Sequence, residues 1–147
     1  DLAVALVSVA PERAGRVVLN LAVLGSDLAR LDAHIAALLA PYRDRPIFVF
    51  HPAFGYFADA YGLEQVAVET GGKEPSARRL AALIDRARAA GAKVLFVQPQ
   101  FSDRSARMVA EAIGGAVVPM DPLARDVLTN LDRMARAVAR ALGQQGG

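Results

Sequence analysis

The chain has 147 residues, 54% apolar and 22% charged with mean hydropathy +0.28, which is the size of one domain and far too apolar for a disordered segment. Lys plus Arg total 17 against 15 for Asp plus Glu, so the net charge is only +2; with no block of like charge and 6% aromatics, nucleic acid is disfavoured as a partner. The absence of cysteine removes disulfides, thiolate metal sites and thiol nucleophiles together.

The first forty residues read as helix. The uncharged run from Leu2 to Ala10 is too short to span a bilayer, and no cationic segment precedes it as in an intact signal peptide, so an exported protein would be read here as a mature or trimmed chain. Pro11 interrupts, and from Val17 through Leu21, Leu24, Leu28, Leu31, Ile35 and Leu38 apolar residues recur at three- or four-residue spacing. That pattern predicts one long amphipathic helix ending near Pro41. Val18, Leu19 and Val23 fall off its main stripe, which predicts burial on a second side or a partner.

After Pro41 strands and helices alternate. Ile47 to Phe50 is a continuous apolar run, as expected of a strand covered on both faces. Pro52 to Tyr61 reads as a helix with Pro52 at its first position, and Leu63 to Val68 as a second strand. Gly71 to Glu74 forms a turn, Ser76 caps a helix over Ala77 to Ala90, and Gly91 stops it. Val94 to Val97 is the third strand; Ser102 or Asp103 caps a helix to Ile113. Ala116 to Pro119 is the fourth strand, Asp126 to Leu142 the last helix, and 143–147 a flexible tail. Strands separated by helices imply crossovers and a parallel sheet. The fold class is therefore α/β: a four-stranded parallel sheet flanked by helices, with 1–41 as leading helices and 42–142 as the α/β lobe.

In an open parallel sheet ligands bind beyond the carboxyl ends of the strands. His51 follows the first strand and Asp121 the fourth, and both side chains are good zinc or manganese donors. The residues alone leave two readings open: a metal half-site, or a partly buried histidine hydrogen-bonded to backbone with a capping aspartate that starts a turn. Glu69 lies near the same edge and could accept from the imidazole. Gln98 and Gln100 either bond around the cleft or cap strand ends. Phe54, Tyr56 and Phe57 read as an aromatic cluster. His34 reads as a surface or interface residue, and Arg78, Arg79, Arg86, Arg88, Arg133, Arg136 and Arg140 as solvated helix faces partnered by Asp85 and Asp132.

The strings His51-Pro-Ala-Phe-Gly-Tyr-Phe, Tyr61-Gly-Leu, Glu74-Pro-Ser, Gln98-Pro-Gln-Phe and Met120-Asp-Pro-Leu resemble the carboxyl-terminal lobe of the zinc and manganese solute-binding proteins of bacterial ABC importers. The long helix with Asn20 is similar to the helix that joins the two lobes in that family. The resemblance implies that His51 and Asp121 are metal ligands and that the protein is periplasmic or extracellular. It also implies that the protein delivers zinc or manganese to membrane permease subunits and is not an enzyme. Family members of full length carry an amino-terminal lobe with further histidine ligands, and this sequence holds only His34 besides His51. The expectation is therefore half a coordination sphere, with weak or no metal binding until an opposing lobe or a second copy completes it. Two other readings stand beside this one: an isolated or engineered lobe that self-associates through its apolar leading helix, and a metal-dependent hydrolase, against which no further acid or base is placed to serve a water.

Overall fold

A computed structural model describes residues 2–69, 76–100 and 104–144. Helix α1 (Leu2–Val9) gives way to a 3₁₀ turn at Pro11–Arg13, and α2 spans Ala14–Leu39, 26 residues or about 39 Å of helix. Pro11 has no amide hydrogen to continue α1; Ala10 N donates to Leu6 O at 3.0 Å and Arg13 N to Ala10 O at 3.0 Å, which closes one helix and starts the next. The chain divides into two compact units, Asp1–Ile35 and Ala36–Gly147. In the first, Leu2, Val9, Val18, Leu19 and Val23 are all exposed. Among the described residues no helix is long and apolar enough to cross a membrane.

The second unit contains β1 (Pro46–Val49), α3 (Gly55–Ala60), β2 (Glu64–Ala67), α4 (Ala77–Ala89), β3 (Val94–Val97), α5 (Arg104–Ala112), β4 (Ala116–Pro119) and α6 (Val127–Gly143). The sheet is parallel throughout, in the order β2-β1-β3-β4. Phe48 lies opposite Val66, Val49 opposite Ala67 and Phe96, and Val97 opposite Pro119. Alternation of side chains along a strand sends Phe48, Phe50, Val66, Val68, Leu95 and Val97 into one cluster, closed by Ala87 of α4 and by Ala106, Val109 and Ile113 around α5. Ile47, Val49 and Phe96 occupy the alternate positions and are equally buried. Both faces of the two central strands are thus covered, which is why β1 and β3 are apolar runs rather than alternating ones.

Local signals set several boundaries. Ser76 Oγ accepts from Arg79 N at 3.4 Å and Asp126 Oδ1 from Thr129 N at 3.2 Å, so both helices start at a capping side chain. Gly91 follows α4 at φ 66°, where a side chain would be strained. The glycine turn at 71–72, the Glu74-Pro75 pair and the proposed caps Ser102 and Asp103 lie outside the described residues. The last helix runs to Gly143, one residue into the expected tail.

The helix expected from Pro52 begins instead at Gly55. Phe54 N donates to the side-chain Oε1 of Gln65 at 2.7 Å, and Ala53 N donates to His51 O at 2.8 Å. These bonds hold residues 51–54 as a loop, and the first helical turn starts just past the buried Phe54. The aromatic cluster also divides: Phe54 is buried, Phe57 meets Tyr61 edge to face with centroids 5.0 Å apart, and Tyr56 is 96% exposed. Of the proposed arginine pairs, Arg136 Nε donates to Asp132 Oδ2 at 2.8 Å, whereas Arg86 bonds Glu64 of β2 at 2.6 Å in place of Asp85.

Candidate functional site

The strand order reverses at β1, whose following strand β2 lies on one side while β3 lies on the other. The crevice favoured for ligands in such sheets is therefore at the carboxyl ends of β1 and β3. Val49 of β1 is paired with Ala67 of β2 and Phe96 of β3, so two residues further on the rim carries Glu69, His51 and Gln98 in a row. The β3–β4 pairing continues through Met120 N, which donates to Val97 O at 2.8 Å and brings Asp121 to the same rim. His51 and Asp121 leave strands separated by β3, a backbone distance of roughly 10 Å at the usual strand spacing.

Each of the two predicted donors has a partner from the neighbouring strand end. His51 Nδ1 lies 2.9 Å from Glu69 Oε2, with the imidazole one-third exposed and the carboxylate buried. Gln98, itself buried, donates from Nε2 to His51 O at 3.3 Å. Its Oε1 is buried without a hydrogen-bond partner among the described residues. Gln100 Nε2 donates to Asp121 Oδ1 at 2.9 Å, and Leu123 N donates to the same oxygen at 3.0 Å. Asn130 of α6 donates to Asp121 O at 2.7 Å. The two glutamines thus act around the cleft as well as at a strand end. Asp121 does start a turn, through Leu123, and that role engages Oδ1 alone. Asn130 was missed in the sequence because its partner is a main-chain carbonyl nine residues away.

The hydrogen bond from Gln100, followed by that from Leu123, holds the Asp121 carboxyl below its ordinary value of 3.8, against a smaller opposing effect of burial. A lowered folded value means that Asp121 contributes stability that is complete above pH 3.8 and lost as pH falls through the lower folded value. Gln100→Leu removes the larger cause. Acid unfolding followed by circular dichroism is expected to show a shallower loss of stability in that range for Gln100→Leu than for the wild type.

His51 and Asp121 offer one nitrogen and one carboxylate, short of the four donors zinc takes in a closed site. Among the described residues no group of three or more His, Cys, Asp or Glu could hold a metal ion. His34 lies exposed on α2 in the first unit.

The family described as "Zinc-uptake complex component A periplasmic" matches residues 1–144. The chain belongs to this zinc-uptake family. The high-affinity zinc uptake system protein ZnuA of Brucella abortus is 29% identical over 147 residues, covering 97% of this chain and 44% of that protein. The ZnuA of Paracoccus denitrificans is 34% identical over 110 residues. A solved structure of ZnuA superposes with TM-score 0.92 at 37% identity, over 96% of this chain and 55% of the other. The chain therefore spans about half the length of the zinc-uptake proteins it matches, and its sheet and long helix are those of one lobe of such a protein.

Proposed function

We propose that this chain is the carboxyl-terminal lobe of a zinc-uptake solute-binding protein and contributes His51 and Asp121 to a zinc site shared with an opposing lobe. The observation that carries the reading is the placement of His51 at the β1–β3 switch point with Nδ1 on a carboxylate, the arrangement usual for a metal-ligating imidazole. Zinc is the cargo rather than a resident cofactor, and the lobe does no catalysis. Its relatives are solute-binding proteins, and the intact assembly would hand the ion to permease subunits from the periplasm. In this reading 1–41 includes the helix joining the lobes and 42–142 is the lobe itself. The exposed apolar side chains Val18, Leu19 and Val23 are then surface for the opposing lobe, with a second copy of the chain as the other occupant.

Zinc titration of the chain and of His51→Ala by calorimetry tests this. The wild type is expected to bind weakly, as a two-donor half-site should, and His51→Ala to abolish the signal. Equal heats from both proteins would remove His51 from the site. Light scattering with elemental analysis on the same samples reports whether a second copy shares the metal.

A further inference from the structure

Glu69, the one buried acid on the rim among the described residues, is placed more tightly than a chance contact requires. Glu69 N donates to Phe50 O at 2.9 Å, which fixes its backbone against the residue immediately before His51. Glu69 is 7% exposed, and acidic groups are rarely so buried unless paired. The pairing is with His51 Nδ1, at 2.9 Å. On the other side, Gln98 Nε2 and Ala53 N both donate to His51 O, so the main chain beneath the imidazole is held from β3 and from within its own loop.

Resting on the reading of His51 as a zinc donor, we propose that Glu69 is a positioning residue for that histidine. A carboxylate accepts and does not donate, so the imidazole proton is drawn to Nδ1 and the lone pair needed for a metal is left on Nε2. The hydrogen bond also fixes the ring about its terminal torsion, which for an unrestrained imidazole is broad. Glu69 therefore selects both the tautomer and the orientation in which the rim offers a nitrogen donor to a divalent cation, before any cation arrives. A purely structural pair would stabilise the loop with no effect on zinc affinity once the variant folds.

The test combines zinc affinity with the tautomer of His51, read by long-range proton–nitrogen NMR in the metal-free chain; only His34 shares that spectral region. The wild type is expected to show the Nδ1–H form. Glu69→Ala should mix the tautomers and weaken zinc binding about 10- to 100-fold. Glu69→Gln, whose amide oxygen still accepts from Nδ1–H, should restore the tautomer and most of the affinity. An Nε2–H tautomer in the wild type overturns the proposal, and that measurement stands even if Glu69→Ala fails to fold. So does a folded Glu69→Ala that binds zinc within twofold of the wild type while His51→Ala does not bind. Loss of the proposed function is a separate outcome: unchanged zinc binding in His51→Ala removes the metal reading, whatever the tautomer.

Discussion

Phe54→Ala is expected to lower the stability of the protein by about 3–5 kcal/mol, the range for truncating a fully buried phenylalanine. Phe54 is 2% exposed and among the largest fully buried side chains of the chain. Its amide bond to Gln65 and its carbonyl bond to Ala58 N at 2.9 Å are main-chain contacts that alanine preserves, so the substitution isolates the ring. Because that ring anchors the far end of the loop starting at His51, the zinc affinity proposed for the chain should fall together with stability. In urea unfolding the midpoint should drop by about 1 M or more at an unchanged slope, given slopes of about 1–3 kcal/mol/M for small domains. A loss below about 1 kcal/mol would mean that the loop is not held by the ring.

Gly115→Ala is expected to be nearly as damaging for a different reason. A Cβ at Gly115 would stand 2.5 Å from Lys93 O and 2.7 Å from Lys93 C, both backbone atoms with no rotamer to yield. The same carbonyl accepts from Ala116 N at 2.9 Å, at the entry to the β3–β4 ladder where Val94 pairs with Ala116. Relieving the clash displaces that ladder, at a cost of about 3 kcal/mol, the upper part of the usual range for overpacking. Gly25→Ala is the control: nothing lies within 4 Å of its added Cβ in the interior of α2, and the better helix former should stabilise by up to about 1 kcal/mol. Thermal unfolding of the two variants should shift in opposite directions, and a Gly115→Ala protein as stable as the wild type would show that β4 can move freely against β3.

Most of the architecture could be read from local sequence. Val94-Leu95-Phe96-Val97 and Ala116 to Pro119 are strands to the residue, because continuous apolar runs between polar turns have few other uses in a small domain. Ser76 and Asp126 mark helix starts because a short polar side chain satisfies an orphan amide from within its own segment. Pro52 misled for the complementary reason. Its position suits a helix start, but the amide of Phe54 is satisfied by Gln65, eleven residues away, and no local pattern reports that. The strand order β2-β1-β3-β4 and the Glu69–His51 bond are non-local in the same sense. The sequence brings Glu69 and Gln100 to the right edge of the sheet; only the register decides that Glu69 meets the imidazole and that Gln100 meets Asp121.

The sheet is also unevenly stitched. β1 pairs with β2, and β3 with β4, over four residues each, whereas β1 and β3 share one register pair, Val49 with Phe96, extended by Phe50 N, which donates to Phe96 O at 2.8 Å. It is therefore two ribbons meeting along a narrow seam, and His51 with Glu69 rides on one ribbon while Gln98, Gln100 and Asp121 ride on the other. A slight slide along that seam would change the gap between the imidazole and the aspartate while leaving both long ladders intact, so in the proposed half-site the donor spacing would follow the least extensively paired join in the layer.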